Sequence, residues 1–511
     1  QILLSRASGV LDYRTEIHVP YGGAMDKIYI EAFSDLRGVI VDLPEPLSKP
    51  VMDSVHEFRY RQAFKESGYR IDLSMDDNLH ASLKIEDGIA TGGRVHFGVS
   101  GYGAVTYDAI RMSGELPFLD YGAWETVTEE FGLISDVSFE DEIAAHVASA
   151  ELSIEELLFY YQPLDDVEML VTRGDNLWVA SLQNEMLDGE VRILDDDDAP
   201  LNVNLNWLSF ESEDGALDPF YDVNPVEVAD VDFSTKQLLL DGEDFGHWSF
   251  NYRTSEHGGR FEDLEVSALG LQVAAGSLGE WHYRNGQHAS RFAGDIVIDD
   301  LAKAQQNFGF ASSIEGEGLK LAVDVSWDGS PAMVDIERVS GEVEISEGSG
   351  RFVQAETGGA LKLLGIFDFA SLARRFRLDF SDVIDDGFEF ADIQGVISFD
   401  EGEVVVQEPI VINGSSGKFT VGGGMNIVSN TLDNDMIVTL PVGRTLPWYA
   451  AYSAIATGPL AGAGVMLAQK VFENQINQMS SAKYKITGSI EEPEIQFVTI
   501  FNDTVREALP E

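Results

Sequence analysis

The stretch "GLKLAVDVSWDG", residues 318–329, decides the fold class of this 511-residue chain. Every odd-numbered position from Leu319 to Trp327 is apolar, and the even-numbered positions between Gly318 and Gly329 hold Lys, Ala, Asp, Ser and Asp. Side chains of a strand point alternately to opposite faces, so this period of two predicts a strand with one apolar face. The flanking glycines are typical of turns.

The same period recurs along much of the chain. It appears in "GEVEISEGSGRF" from Gly341 and in "DIQGVISFDEGEVVV" from Asp392, and again in "GKFTVGGGMNIV" and "NDMIVTLPV". Turns such as Asp400-Glu401-Gly402 separate the strands. Strands of this kind run from about residue 27 to 99 and from about 187 to 440, which predicts an antiparallel, mainly β protein.

Helical periodicity is expected in three stretches only. They are residues 141–161, residues 361–376, and an uncharged run with its continuation to residue 479. Polar and turn-forming residues cluster at 128–142 and 211–228, where we expect boundaries.

The uncharged run lies in "LPWYAAYSAIATGPLAGAGVMLAQKVF", residues 446–472, where no charged side chain occurs between Arg444 and Lys470. Pro459 removes a backbone donor in its middle, which favours two short helices over one spanning helix. Ala454, Gly458 and Gly462 have the spacing that lets helices approach closely. Three readings stay open: a spanning helix, a hairpin packed on the end of the sheet, and a hairpin that dips into a membrane surface. The predicted hairpin residues are Trp448, Tyr449, Gly458, Pro459, Gly462 and Met466.

The formal net charge is -55, from 88 acidic and 33 basic side chains spread along the chain. Such a surface repels nucleic acid and anionic headgroups at long range. It indicates a solvated acidic surface, with binding of cations or of a basic partner as the alternative. The chain has no cysteine, which excludes disulfides and thiolate metal sites.

Sequence motifs for catalysis are not found. No HExxH motif occurs, Phe419 follows Lys418 in the phosphate-loop-like "NGSSGKFT", and Tyr102 interrupts the elbow-like "GVSGYG". We therefore expect no catalytic residue, no cofactor and no metal, and a protein that is not an enzyme.

Several segments resemble the long AsmA-like envelope proteins of the YhdP type. The similarity lies, in chain order, in "SDLRGVIVDLPEPLSKP" (34–50), "LDGEVRI" (187–193), "LGEWHY" (278–283), "RRFRLDFSDVIDDGFEFADIQGVISF" (374–399) and "YKITGSIEEPEI" (484–495). Ile490 stands where that family usually has Trp.

The resemblance implies a periplasmic bridge of Gram-negative bacteria that carries phospholipid between the inner and outer membranes. It also implies an inner-membrane anchor upstream of Gln1 and a possible membrane contact near the C-terminal end. The expected fold is an elongated, twisted antiparallel sheet folded into an open hydrophobic groove, with a few short helices and a C-terminal helical hairpin.

We expect the groove to be lined by the apolar residues of these strands. They are Leu321, Val323, Val325, Trp327, Val343, Ile345, Ile397, Phe399, Phe419, Val421, Val438 and Leu440. Alternation alone favours the other reading, in which the same side chains are sealed between two sheets of a structural or adhesive protein. The resemblance favours the open groove.

The predicted organisation has five segments. They are a β-groove segment at 1–135, a helix-containing connecting β segment at 136–220, an AsmA-like β-groove at 221–445, the helical hairpin at 446–480, and a terminal strand and tail at 481–511.

Overall fold

The computed structural model describes residues 6–21, 28–65, 67–99, 104–134, 144–159, 162–196, 198–211, 218, 220–307, 312, 314–353, 388–415, 417–439, 481–490, 493–500 and 504–505. The chain divides into two compact units, Gln1–Phe210 and Glu211–Glu511. Both are built of β-strands, and each forms an open, twisted sheet. The mainly β fold predicted from the period of two is therefore confirmed.

The structure describes fifteen strands in the first unit. Their bounds are β1 Ala7–Gly9, β2 Arg14–His18, β3 Tyr29–Ser34, β4 Val39–Val41, β5 Phe58–Phe64, β6 Tyr69–Met75, β7 Leu79–Glu86, β8 Ile89–Phe97, β9 Ile110–Leu116, β10 Leu119–Asp120, β11 Val147–Phe159, β12 Gln162–Gly174, β13 Leu177–Gln183, β14 Leu187–Leu194 and β15 Leu201–Phe210. β1 pairs only with β4, and the others form one sheet.

This sheet is antiparallel from β2 to β8 and from β11 to β15. Strand β9 pairs in parallel with both β8 and β11, and β10 continues it along β11. The parallel pairs are a difference from the purely antiparallel meander that the sequence predicts. Parallel neighbours need a longer connection, and the β10–β11 connection contains the helix α1, Tyr121–Ile134.

The second unit is antiparallel in every pairing that the structure describes. Its strands are β16 Val231–Thr235, β17 Leu238–Leu240, β18 Glu243–Asp244, β19 His247–Ser255, β20 Gly258–Ala268, β21 Leu271–Arg284, β22 Gln287–Ile298, β23 Ile314–Glu317, β24 Leu319–Asp328, β25 Ser340–Ser346, β26 Ser349–Phe352, β27 Phe388–Asp400, β28 Glu403–Gly414, β29 Gly417–Asn426, β30 Thr431–Thr439, β31 Ser481–Gly488 and β32 Pro493–Ile500. Pairing proceeds β16-β19-β20-β21-β22-β24-β25-β27-β28-β29-β30-β31-β32.

Tight turns join many of these strands. Between β27 and β28 the turn residues Glu401 and Gly402 have φ values of 44 and 85 degrees. Two consecutive positive φ values are typical of a type I′ hairpin turn, whose twist matches that of the strands. The turn predicted at Asp400-Glu401-Gly402 is confirmed.

The helix predicted over residues 141–161 is wrong. That stretch holds a short 3₁₀ helix, Ala144–His146, and then β11. Its Glu- and Leu-rich sequence favours a helix by intrinsic propensity, but strands on both sides supply backbone partners along its length. The helices that the structure describes are α1 and α2, Leu301–Asn307.

Several predictions fall on residues that the structure does not describe. The helix expected at 361–376 and the hairpin expected at 446–480 both lie outside the described residues. The five-segment division also stays a prediction.

Candidate functional site

One face of the first sheet carries an unbroken apolar row. Directly paired residues of neighbouring strands share a face, so the register alone defines the row. From β3 to β15 it consists of Ala32, Tyr60, Leu73, Ala81, Val95, Met112, Ala150, Val171, Ala180, Val191 and Val203. With strands about 4.8 Å apart, the row is about 50 Å long measured along the sheet.

A second row runs beside the first on the same face. It consists of Phe58, Met75, Leu79, Phe97, Gly114, Leu152, Met169, Leu182, Gly189 and Leu205. The opposite face is polar at nearly every matching position: Glu31, Arg61, Asp72, Ser82, Arg94, Arg111, Ser149, Thr172, Val179, Arg192 and Asn202. The sheet is therefore amphipathic across its whole width.

The second unit repeats this arrangement. Its first apolar row, from β16 to β31, consists of Val231, Tyr252, Phe261, Gly279, Phe292, Val325, Gly341, Phe399, Val404, Met425, Leu432 and Gly488. The adjacent row, from β22 to β32, consists of Gly294, Val323, Val343, Ile397, Val406, Gly423, Asn434, Ile486 and Ile495.

The predicted groove residues fall into two groups by exposure. Those on β24, β25 and β27 lie on the apolar face and are only partly buried, apart from Trp327, which is buried: Leu321, Val323, Val325, Trp327, Val343, Ile345, Ile397 and Phe399. Ala322 and Asp324 between them are exposed on the other face. An apolar side chain that keeps part of its surface accessible can contact a ligand without unfolding the sheet.

The other group is packed inside a cluster that we call the C-terminal core. Phe419, Val421 and Val438 are 8%, 3% and 9% exposed and belong to it. Its buried members are Phe352, Phe388, Phe390, Val406, Ile410, Ile412, Phe419, Val421, Leu432, Met436, Val438, Tyr484, Ile486 and Ile490. The apolar rows thus lead from a partly exposed region into a packed one.

The remaining predicted residues are not placed. Leu440 and the hairpin residues Trp448, Tyr449, Gly458, Pro459, Gly462 and Met466 lie outside the described residues. Whether the placed residues contact lipid also stays a prediction.

A strap formed by residues 220–230 packs against the margin of the apolar face. The hydroxyl of Tyr252 donates to the backbone carbonyl of Pro225 at 2.6 Å, and the Phe220 ring lies 5.5 Å from that of Trp281. The Trp281 indole donates to Nδ1 of His288, whose Nε2 lies 2.9 Å from the carbonyl oxygen of Tyr221. Because Nδ1 accepts, Nε2 carries the proton and donates to that oxygen.

Sequence reasoning did not single out these strap contacts. Burial, together with the nearby charge of Asp230, raises the pKa of Tyr252, so the hydroxyl stays protonated and keeps its role as a donor. The aromatic residues of "HWSFNY" and "LGEWHY" were a sequence signal for such contacts. Trp and Tyr place an apolar ring against a core and a polar group at its edge, where that group can form a hydrogen bond.

Ion pairs hold neighbouring strands together on the polar face. Arg291 of β22 donates to both carboxylate oxygens of Asp324 on β24, each at 2.8 Å, and also reaches Glu280 at 3.3 Å. The hydrogen bonds from Arg291 lower the pKa of Asp324. On this polar, solvent-facing side of the sheet, ion pairs therefore link neighbouring strands.

One group of side chains could offer ligand atoms to a cation. The atoms lie within 4.8 Å of one another and come from Glu16, His18 and Glu31, on β2 and β3. Arg14 pairs with Glu16, and Arg61 lies 3.8 Å from Glu31, so part of the negative charge is already compensated.

Neither helix in the described part of the chain is long and apolar enough to cross a membrane.

The sequence model of the family described as "YhdP protein" matches residues 1–495. The chain belongs to the YhdP family. The resemblance drawn from the five segments is therefore confirmed. A curated relative from Escherichia coli (strain K12), named "Intermembrane phospholipid transporter YhdP", is 26% identical over 220 residues.

That alignment covers 43% of this chain and 17% of the relative. The chain therefore matches less than a fifth of the length of that YhdP protein. No solved structure matches the chain.

Proposed function

We propose that this chain transports phospholipid by holding its acyl chains against the apolar rows of the two sheets. The observation that carries the proposal is the pairing register, which keeps apolar residues in line from strand to strand while the side chains of β24 and β25 stay partly exposed. The polar part of the lipid remains in water at the margin of the sheet.

The energetic reason is the cost of moving acyl chains through water. Each CH₂ group is worth about 0.8 kcal/mol, so exposing both chains of a phospholipid costs on the order of 20 kcal/mol. A row of apolar residues that is continuous across the strands replaces water along the path and removes most of this barrier. The acidic surface repels anionic headgroups, so the acyl chains supply the binding energy.

The family and the name of the Escherichia coli relative support this proposal. An intermembrane transporter of the envelope works in the periplasm, and we propose the same location and a bridging role between inner and outer membranes that maintains outer-membrane lipid. We further propose that no residue is catalytic, because lipid transfer along an apolar face breaks no covalent bond.

Photo-crosslinking from the two faces of β24 tests the proposal. A photoreactive residue, p-benzoylphenylalanine, is placed at Val325 on the apolar face or at Ser326 on the exposed polar face. The protein is then irradiated in the presence of phospholipid vesicles and analysed by mass spectrometry. We expect phospholipid adducts from residue 325 and none from residue 326.

The alternative is a structural or adhesive protein whose apolar faces are sealed. The C-terminal core favours that reading locally, because Ile412 and Ile486 have no exposed surface. Sealed faces would give protein–protein adducts from residue 325 and no lipid adduct, which would contradict transport.

A further inference from the structure

Asn434 is the one polar side chain in the apolar row from β22 to β32, within the residues that the structure describes. It lies opposite Gly423 on one side and Ile486 on the other. Along its own strand the next residues on the same face are Leu432 and Met436, both buried. An amide side chain therefore lies on the apolar face of β30, at a position where the alternation predicts an apolar residue.

No residue that the structure describes gives the amide nitrogen of Asn434 a hydrogen-bond partner. The residue is 3% exposed, and its Nδ2 atom is one of the buried polar atoms that have no hydrogen-bond partner within the described ranges. A buried donor without an acceptor is costly, and native proteins nearly always satisfy such groups with protein, water or a ligand. The described part of the chain supplies no acceptor for this donor, so the position suits a ligand that brings an acceptor oxygen.

The neighbour of Asn434 on β29 is Gly423, which has no side chain. Gly423 keeps part of its surface accessible and has a φ of 113 degrees. A Cβ atom there would lie 2.4 Å from the backbone oxygen of Asp433 and 3.2 Å from Oδ1 of Asn434. A side chain at position 423 would therefore collide with β30, so Asn434 supplies the side chain at this paired position.

We propose that Nδ2 of Asn434 donates a hydrogen bond to an ester carbonyl oxygen of a glycerolipid that lies along the apolar rows. This inference rests on the proposed function. The ester carbonyl is the acceptor attached directly to the acyl chains, so it enters an apolar site with them. A phosphate group is excluded, because a charge buried there without a cationic partner would be strongly unfavourable.

The experiment compares ester-linked with ether-linked phosphatidylcholine of the same chain length, because the ether lipid lacks only the carbonyl oxygens. Binding of each lipid to the full chain is measured by titration with fluorescent analogues. Wild type, Asn434→Leu and the control Met436→Leu are compared. Met436 lies on the same face of the same strand, and its change keeps the volume without touching the amide.

We expect wild type and Met436→Leu to bind the ester lipid about fivefold more tightly than the ether lipid, the ratio given by one neutral hydrogen bond. Asn434→Leu should bind both lipids with the affinity that wild type has for the ether lipid. Thermal unfolding checks that each variant is folded, and Asn434→Ala replaces the Leu variant if Leu does not fit.

Equal binding of the two lipids by wild type would overturn the inference, since it would mean that water satisfies the amide. A preference that survives in Asn434→Leu would overturn it as well. Absence of binding of either lipid would instead contradict the proposed function itself, so the two failures are distinguishable.

Discussion

Val323 of β24 lies directly opposite Val343 of β25, and both side chains are partly exposed on the same face of the sheet. Ala322, one residue before Val323, is exposed on the opposite face. Val323 and Ala322 are therefore neighbours on the same strand whose side chains lie on opposite faces of the sheet. This arrangement allows the role of the apolar face to be tested separately from the stability of the sheet.

A charge on the apolar face should prevent lipid binding. We expect Val323→Asp to reduce phospholipid loading at least tenfold, because a carboxylate beside Val343 must either stay hydrated or be buried against acyl chains at high cost. Loading is measured by extraction and mass spectrometry, and folding by circular dichroism. Ala322→Asp should load like wild type. Equal loss in both variants would show that the effect does not depend on the apolar face.

The C-terminal core should respond to cavities as a packed interior does. Ile412 has no exposed surface, and Ile412→Ala should lower the free energy of unfolding by about 2–5 kcal/mol. Val428 is 63% exposed, so Val428→Ala should change the free energy of unfolding by less than about 0.5 kcal/mol. Urea unfolding followed by tryptophan fluorescence makes the comparison. A small effect of Ile412→Ala would mean that this end is also open.

The strap at residues 220–230 should depend on its hydrogen bond from Tyr252. Tyr252→Phe removes the donor to the carbonyl of Pro225 and should lower the free energy of unfolding by about 1 kcal/mol. Tyr221 is 61% exposed and serves as a matched control. The change Tyr221→Phe keeps the backbone carbonyl that accepts from His288. Hydrogen exchange of residues 220–230 should rise in the first variant and not in the second.

The Arg291–Asp324 pair should contribute a pH-dependent part of stability. The pKa of Asp324 is lowered, so its contribution is present above the unfolded value of about 4 and is lost as the pH falls through the lower folded value. Asp324→Asn should destabilise the fold at pH 7 by less than about 1 kcal/mol, because the pair is exposed. Urea unfolding at pH 7 and pH 3 should show the difference from wild type shrinking at the lower pH. A difference that grows on acidification would contradict this assignment.

The period of two predicted the strands well where alternation is unbroken. Residues 319–328 alternate between buried or partly buried side chains and exposed ones, as the sequence indicates. Alternation fails in β11, where Glu155 and Glu156 are both exposed and interrupt it, and a helix was predicted instead. Backbone pairing with β9 and β12 outweighs the helical propensity of that stretch.

Other features depend on contacts between distant parts of the chain. The parallel pairing of β9 with β8 and β11 has no local signal in the sequence. Helix α1 had a weak local signal in the sequence, the N-cap residue Asp120. Its side chain accepts a hydrogen bond from the backbone of Ala123 and caps the helix. Asn434 was visible as a polar residue within an alternating stretch, but only the register shows that it faces the apolar row.

Lipid transport by this chain is tested most simply by mass spectrometry of the lipid that remains bound to the purified protein. The protein is expressed in the periplasm of a Gram-negative host, purified without detergent and extracted with organic solvent. Apolar rows that carry acyl chains predict phospholipid at one or more molecules per chain, and at a strongly reduced level in Val323→Asp but not in Ala322→Asp. Protein that is folded and carries no phospholipid would contradict the proposal that the apolar rows hold acyl chains.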